Sequence, residues 1–258
     1  MPEIVWTDIL LSLVPSRVVD RWSVAVSRIP PIHGGVAFVR RDGQFVLWHS
    51  PVGDIWARFT DGRTLALLIA EQLETHAYDL DPVCVRPGDV VLDVGANLGV
   101  FTRFALNRDA RKVIAFEPNG QVAECFTRTF AGEIRSGRVH LVPAAAWRVT
   151  ERLHFDTTDN HLGGRISGHG IEISARAIDD VVGEIGVDRV DFIKMDVEGA
   201  ERHALAGAAR TLRNYRPRMA ICSYHLNDDV QVLPEVVLAI VPEYKLVRRR
   251  DYDYYCCE

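Results

Sequence analysis

Two groups of residues in this 258-residue sequence have types and spacings that suit ligand chemistry, and the first is a glycine-rich turn. A mostly apolar run at 90–94 leads into Gly95-Ala96-Asn97-Leu98-Gly99, where a strand would end and a helix would begin. Glycines at such a turn let the backbone approach a ligand closely. Glu117 ends the next predicted strand, 22 residues after Gly95, where a carboxylate can accept both hydroxyls of a ribose. The combination predicts a nucleoside-binding site.

The details of the turn favour S-adenosylmethionine over a dinucleotide. A dinucleotide turn has a second glycine where the pyrophosphate comes close, and Asn97 occupies that position here. Asp93, just ahead of the turn, would repel a pyrophosphate and attract an ammonium group. Ala145, near the end of the third strand, leaves room for an adenine ring, although alanines packed in a core would give the same pattern. The predicted cofactor contacts are Asp93, Gly95, Ala96, Asn97, Gly99, Glu117 and Ala145.

The second group begins where an apolar strand ends in ionisable residues. Ligands of open α/β sheets bind at the carboxyl ends of strands, and strand alternation puts Lys194 on the same side as Asp196. Glu201, in the first turn of the next helix, suits the helix dipole and reads as a capping charge. His225 follows the neighbouring strand and would converge with Asp196 on an acceptor hydroxyl. Our hypothesis makes His225 the general base, oriented by Asp196; alternatively, the two hold a divalent cation, or His225 is an ordinary loop residue.

A polar, glycine-rich segment at 159–165 precedes a further predicted strand. Such a loop could close over a substrate, with Asn160, His161 and Arg165 contacting sugar or phosphate oxygens, although an ordinary surface loop has the same composition. Glu198 and Tyr224, beside Asp196 and His225 in sequence, complete the candidate substrate contacts.

Three of these motifs together resemble the FkbM family of methyltransferases. They are Asp-Val-Gly-Ala-Asn-Leu-Gly at 93–99, Ala-Phe-Glu-Pro at 115–118 and Asp-Phe-Ile-Lys-Met-Asp-Val-Glu-Gly-Ala-Glu at 191–201. The resemblance runs from about Gly88 to the C-terminus and is looser just ahead of the fourth core strand, although the residues at 177–180 resemble the family's Leu-Asp-Asp element. Ser223-Tyr224-His225, followed by Asp229, Pro234 and Tyr244, resembles the C-terminal part of one branch of the family. It implies a seven-stranded Rossmann-like sheet and an S-adenosylmethionine-dependent enzyme that usually methylates a hydroxyl on a sugar, polyketide or related metabolite.

The elements that must position these residues alternate as strands and helices from Gly88 onward. Uninterrupted apolar strands with crossover helices predict an α/β fold, with a mostly parallel sheet covered by helices on both faces. The predicted strands are 90–94, 112–117, 139–142, 190–196, 219–224 and 244–248; the predicted helices are 98–107, 121–131, 200–213 and 229–241; an extra hairpin is predicted from 153–155 and 171–175.

Residues 1–80 are predicted to form an appended lobe, and residues 81–258 the cofactor-binding domain. The lobe would contain helices at 7–13, 16–27 and 64–76, with a β-hairpin turning at Asp42-Gly43. It matches no motif of the family, so we expect it to influence substrate choice, as a lid, or to mediate association of identical chains.

The amino-acid composition limits the kinds of partner and the cellular compartment that we expect for this protein. A net charge of −5, from 30 Lys+Arg and 35 Asp+Glu, argues against nucleic acid as a partner. Five scattered cysteines without a C-x-x-C pair predict neither a disulfide framework nor a zinc site. No apolar run has membrane-spanning length and no secretory signal stands at the start, so we expect a cytoplasmic protein with no membrane partner. An N-methyltransferase, an NAD-dependent oxidoreductase and a non-catalytic nucleoside-binding protein remain as alternatives.

Overall fold

A computed structural model describes residues 35–156 and 164–257. Its first part is a three-stranded antiparallel sheet, β1 (Ala37–Asp42), β2 (Phe45–His49) and β3 (Ile55–Arg58), followed by helix α1 (Gly62–Ala70) and a π-helical turn over Glu71–Thr75. The predicted hairpin is confirmed, but Asp42 pairs with Phe45, so the two-residue loop is Gly43-Gln44. Gly43 has a φ of 60°, which a glycine adopts without strain. The helices predicted at 7–13 and 16–27 lie outside the described residues.

From residue 90 on, strands and helices alternate as predicted. The strands are β4 (Val90–Val94), β5 (Lys112–Phe116), β6 (Val139–Val142), β7 (Ala145–Ala146), β8 (Glu151–Asp156), β9 (Arg165–Ser167), β10 (Ile171–Arg176), β11 (Phe192–Met195), β12 (Arg218–Cys222), β13 (Lys245–Arg249) and β14 (Tyr252–Cys256). The helices are α2 (Val100–Asn107), α3 (Gly120–Thr129), α4 (Ala131–Arg135), α5 (Ile178–Ile185), α6 (Glu201–Ala206), α7 (Ala209–Tyr215) and α8 (Asp229–Ile240). No described helix combines the length and the apolar character needed to cross a membrane.

Seven strands form the central sheet, in the order β13-β14-β12-β11-β4-β5-β6. The five strands from β12 to β6 run parallel, and β14 is antiparallel to both of its neighbours. Every residue of β4 and β11 is buried, because helices cover both faces of the sheet. The α/β Rossmann-like class predicted from the sequence is confirmed.

The order of the strands reverses at β4, since β5 and β6 follow on one side and β11 and β12 on the other. Ligands of open α/β sheets bind in the crevice that such a reversal leaves at the carboxyl ends of the strands. The turn at Gly95, the carboxylate of Glu117 and the carboxylate of Asp196 all lie at this edge.

Several predicted boundaries need correction. The predicted helix at 121–131 is divided into α3 and α4, and that at 200–213 into α6 and α7. The second division follows from packing, because a Cβ on Gly207 would lie 2.0 Å from the carbonyl oxygen of Trp147. Helix α5 and strand β14 were not predicted. The extra hairpin is confirmed as β8 and β10, with β9 and β7 completing a four-stranded sheet.

The N-terminal strands share a hydrophobic core with the central domain. Buried residues of β2, β3 and α1 pack against Leu98, Val100, Val122 and Cys125. The backbone N–H of Trp56 donates to the hydroxyl of Thr129 at 2.9 Å, joining β3 to α3. The end of α1 lies beside the carboxyl edge of the sheet, where Leu68 lines the same cavity as Gly95. The division into two domains near residue 80 stays a prediction.

Candidate functional site

A cleft opens at the carboxyl edge of the sheet, with an empty volume of about 900 Å³ that includes its mouth. A concave cleft lined mainly by apolar residues, with a few polar side chains among them, is typical of a small-molecule site. Four parts of the chain wall it: the end of α1 and the segment after it, the turn after β4, the loops after β5 and β11, and the small sheet of β7–β10. The polar side chains among its lining residues are Glu71, Gln72, Tyr78, Asn97, Glu117, Lys194, Asp196 and Glu198.

The glycine turn packs directly against the loop after β11. Gly95 has a φ of 83°, and a Cβ there would lie 1.8 Å from the backbone oxygen of Asp196. Gly99, with a φ of 85°, is needed for a different reason, since its Cβ would lie 2.3 Å from the ring of Phe130. Gly95, Ala96 and Asn97 therefore line the cleft, as Ala145 also does, whereas Gly99 is a packing residue below it.

The carboxylate of Glu117 is held rigidly at the cleft wall. Its two oxygens accept hydrogen bonds from the backbone N–H groups of Asn97, at 2.9 Å, and Asn119, at 2.8 Å. Burial raises the pKa of Glu117 to about 7, although the two backbone hydrogen bonds act in the opposite direction. Each oxygen retains a lone pair for a ligand. Glu117 thus meets the geometric requirement of the predicted ribose contact.

Asp93 lies beneath the cleft and is not among its lining residues. Its carboxylate is fully buried, accepts a hydrogen bond of 2.6 Å from Thr102, and lies 3.4 Å from the Nζ of Lys194. Lys194 in turn donates to the carbonyl oxygen of Gly95 at 2.5 Å. Burial alone would lower the pKa of Lys194, but Asp93 and Asp196 together raise it above its usual value. We therefore correct the predicted ammonium contact: Asp93 supports the turn through Lys194 because its charge is already paired.

The structure brings Asp196 and His225 together, as predicted. The Nε2 of His225 lies 3.5 Å from Asp196 Oδ1 and 3.6 Å from Glu198 Oε2. Its Nδ1 lies 2.9 Å from Oε1 of Glu201. Tyr78 donates a hydrogen bond of 2.9 Å to the other oxygen of Asp196. Burial would lower the pKa of His225, yet Glu201, Asp196 and Glu198 together raise it to about 9. An imidazole with that pKa already carries its proton at neutral pH and is a poor general base.

Glu201 lies at the predicted helix start, and it is also a buried carboxylate close to Asp196 and His225, which the sequence did not indicate. It is the first residue of α6, and its Oε1 accepts from the backbone N–H of Val197 at 2.9 Å. The side chain is completely buried, and its Oε2 has no hydrogen-bond partner among the described residues. Asp196, Glu201 and His225 each offer one ligand atom, and these atoms lie within 4.8 Å of one another.

Only some of the predicted substrate contacts lie at the wall of the cleft. Glu198 lines the cleft, and its side chain is 46% exposed. Tyr224 lies outside the cleft wall, half-exposed, with its ring 4.3 Å from that of His225. Arg165 is exposed on β9, between two cleft-lining residues, Gly164 and Ile166. The remaining two contacts, Asn160 and His161, lie outside the described residues.

Three polar cleft residues from the N-terminal part were missed by the sequence analysis: Glu71, Gln72 and Tyr78. Gln72 is only 2% exposed, and neither its amide nitrogen nor its amide oxygen has a hydrogen-bond partner within residues 35–156 and 164–257. Burial raises the pKa of Glu71, which accepts a hydrogen bond from the hydroxyl of Tyr252. No local pattern marks these residues, because the cleft that they face exists only after α1 packs against α2 and the turn that follows β4.

Comparison with known proteins agrees with this geometry. The family model "Methyltransferase FkbM domain" matches residues 93–254. The chain is 31% identical over 195 residues to the 31-O-demethyl-FK506 methyltransferase FkbM of Streptomyces tacrolimicus, covering 58% of this chain and 74% of that protein. It is 29% identical over 184 residues to the 2-O-methyltransferase NoeI of Sinorhizobium fredii, covering 63% and 74%.

Two further matches differ from the chain in length. The structure of a methyltransferase FkbM from Methylobacillus flagellatus has the same fold, with a TM-score of 0.53 and 23% identity, covering 78% of this chain and 55% of that one. The AMB antimetabolite synthetase AmbE of Pseudomonas aeruginosa is 28% identical over 173 residues, or 51% of this chain. The chain spans only 8% of that synthetase.

Proposed function

The chain belongs to the FkbM family of methyltransferases, and on that premise we propose that it methylates a hydroxyl oxygen of a small-molecule or glycosylated acceptor, using S-adenosylmethionine. The observation that carries the proposal is the cleft itself. It joins the rigid carboxylate of Glu117 at one part of its wall to Asp196 and Glu198 at another. The cofactor would occupy the first part and the acceptor the second.

The residues present suit S-adenosylmethionine, which supplies a methyl group on a positively charged sulfur. Glu117 would accept the ribose hydroxyls through the lone pairs that its backbone partners leave free. Gln72 carries a buried amide with a donor and an acceptor and no partner among the described residues, and a buried amide is costly to leave unpaired. An amino acid group, with its carboxylate and ammonium, would satisfy both ends of that amide. Ala145 and Pro118 line the wall where the adenine would lie.

Catalysis by this chain would consist mainly of alignment, because methyl transfer is a direct displacement. Lys194 fixes the carbonyl of Gly95, and Tyr78 fixes one oxygen of Asp196, so both walls of the cleft are preorganised. The acceptor hydroxyl must also lose a proton. Asp196 and Glu198 are the carboxylates that face the cleft at this point, while His225 stands behind them.

Oxygen is the proposed target atom for two reasons. The names of NoeI and of the FkbM from Streptomyces tacrolimicus both specify oxygen, although the identities of 29% and 31% leave the acceptor of this chain a proposal. The two carboxylates beside the acceptor position, Asp196 and Glu198, would also assist removal of a hydroxyl proton, whereas a neutral amine needs no such help. A hydroxyl of a sugar or of a secondary metabolite is the acceptor that we propose. The wall that α1 contributes supports a role of the N-terminal lobe in substrate choice.

Two measurements test the proposal. Calorimetry should show binding of S-adenosylmethionine and none of NAD. Incubation with a methyl-labelled cofactor and a panel of sugars, macrolides and amines should then place the label on an oxygen. Binding of NAD in place of S-adenosylmethionine would favour an oxidoreductase. Label found only on nitrogen would identify an N-methyltransferase, and binding without transfer to any acceptor would indicate a nucleoside-binding protein.

A further inference from the structure

We propose that Asp196, Glu201 and His225 form a binding site for one divalent cation, with Glu198 beside it at the cleft wall. The use of this cation in catalysis rests on the proposed methyl transfer, whereas its binding does not.

The spacing of the three side chains allows them to bind one ion together. Two ligands of one ion, each about 2.0–2.2 Å from it, lie no more than roughly 4.4 Å apart. One ligand atom of each side chain falls within 4.8 Å of the other two, so rotamer adjustments of a few tenths of an ångström would close the site. The three residues come from the loop after β11, the start of α6 and the loop after β12, so the site joins three elements at one edge of the sheet.

The negative charge around His225 also favours a bound cation. Asp196, Glu198 and Glu201 surround a single imidazole within 3.6 Å. The nearby cations of the described chain are engaged elsewhere. Lys194 bonds the carbonyl of Gly95 and lies against Asp93, and Arg202 is paired with Asp228 and Asp229, each at 2.7 Å. A divalent cation would balance the negative charge that remains.

The Oε2 atom of Glu201 supports the cation site independently of the spacing and of the charge. Glu201 is completely buried, and its Oε2 has no hydrogen-bond partner within the described part of the chain. Its other oxygen lies 2.9 Å from His225, so the unpaired oxygen belongs to the same cluster. A buried carboxylate oxygen without a partner is costly, and a metal ion is one of the few groups that compensates it. A purely structural capping charge would leave that oxygen unexplained.

The ligand set indicates the class of ion. Carboxylate oxygens suit Mg²⁺ and Mn²⁺, whereas an imidazole nitrogen is a ligand for transition metals. One imidazole with two carboxylates therefore favours Mn²⁺ over Mg²⁺. Mn²⁺ is also a convenient probe, because it is paramagnetic and its free and bound forms differ in their resonance spectra.

The position of the site assigns the cation a chemical purpose. Asp196 and Glu198 line the cleft, so an ion on Asp196 would lie next to the acceptor oxygen. A Lewis acid there stabilises the negative charge that develops on this oxygen. The O–H bond breaks and its proton passes to Glu198, whose half-exposed side chain can release it to water. The oxygen's electron pair forms the bond to the methyl carbon, and the bond between sulfur and the methyl carbon breaks, leaving its electron pair on sulfur.

The experiment is a titration of the chelator-treated full chain with Mn²⁺, followed by electron paramagnetic resonance without cofactor or acceptor. We expect one Mn²⁺ per chain. Asp196→Asn and His225→Gln should each weaken binding at least tenfold. Asp228→Asn is the matched control, since Asp228 lies three residues from His225 and contacts Arg202 at the surface. It should leave the affinity for Mn²⁺ unchanged.

Circular dichroism of each variant shows whether it is folded, and Glu201→Gln provides a third ligand variant if either of the others is not. Absence of Mn²⁺ binding, or equal affinity in the ligand variants and the wild type, would overturn the proposal. Full methyl transfer by a chelated protein that binds no Mn²⁺ would refute the metal site alone. Binding of Mn²⁺ with no methyl transfer to any acceptor would refute the proposed function alone.

Discussion

Gly95 and Asp196 pack so closely that a Cβ on Gly95 would lie 1.8 Å from the backbone oxygen of Asp196. The two residues directly follow neighbouring parallel strands, β4 and β11. Their contact joins the turn proposed to face the cofactor to the carboxylate proposed to face the acceptor. A displacement of either residue would therefore change the distance between the two reacting groups.

Gly95→Ala should damage both stability and binding. The new methyl group would collide with backbone, and alanine is strained at a φ of 83°, so we expect the free energy of unfolding to fall by about 2–4 kcal/mol. Urea unfolding measures this loss. Gly183→Ala is the control, because Gly183 lies within helix α5 with open space around it and alanine is the better helix former. Equal stability of the Gly95→Ala variant and the wild type would contradict the close approach.

Glu117→Gln should weaken the binding of S-adenosylmethionine by about tenfold to a hundredfold. Glutamine keeps the size of the side chain, but its amide nitrogen cannot accept from the N–H of Asn97 or Asn119, and a charged acceptor is lost. Calorimetry measures the affinity. Glu124→Gln, an exposed change on α3, should have no effect on it. Wild-type affinity in the Glu117 variant would exclude the ribose contact.

The buried carboxyl of Glu117 should also make stability depend on pH. Its pKa rises from 4.5 to about 7 on folding, so the unfolded chain releases this proton first as pH increases. Its contribution is fully present below pH 4.5 and is lost as pH rises through about 7, by an amount on the order of 3 kcal/mol. The Glu117→Gln variant has no ionisable group at this position. The stability of the wild type relative to that variant should therefore fall between pH 4.5 and 7, and a constant difference would contradict the raised pKa.

Gln72→Leu should produce opposite effects on stability and binding. Removing an unpaired buried amide should stabilise the cofactor-free protein by about 1–3 kcal/mol, whereas the loss of its hydrogen-bonding groups should weaken cofactor binding. Thermal unfolding and calorimetry measure the two effects on the same preparation. Gln231→Leu, at an exposed position of α8, should change neither quantity appreciably. Unchanged cofactor affinity in the Gln72 variant would show that this amide faces no ligand.

Tyr78→Phe should lower kcat about tenfold and leave KM for the cofactor nearly unchanged. Tyr78 is a positioning residue, because its hydroxyl bonds Asp196 and would act on the acceptor only through that carboxylate. Steady-state kinetics separate the two parameters. Tyr254→Phe removes a comparable buried hydroxyl, bonded to the carbonyl of Ala77, and should reduce stability without changing kcat. Equal kcat values for the Tyr78 variant and the wild type would show that Tyr78 does not position Asp196 for catalysis.

Local sequence patterns were sufficient to predict the parallel sheet and the residues at its carboxyl edge. Gly95, Glu117, Asp196 and His225 each follow a strand that alternates with helices, and parallel strands must end at the same edge. Their proximity therefore followed from local patterns alone. The same reasoning placed Lys194 on the side of Asp196, and both residues line the cleft.

The pairing of charges and the set of groups that face the cleft became visible only in the folded structure. Asp93 is neutralised by Lys194 from a neighbouring strand, and Gln72 reaches the cleft only because α1 packs against α2 and the turn after β4. Strand β14 was missed because it is buried by pairing with β12, which lies far from it in sequence. Its Asp253 is completely buried, and Arg248 of the adjacent strand compensates its charge at 2.5 Å. Pairing and burial depend on contacts between segments distant in sequence, and no local pattern of residue types records them.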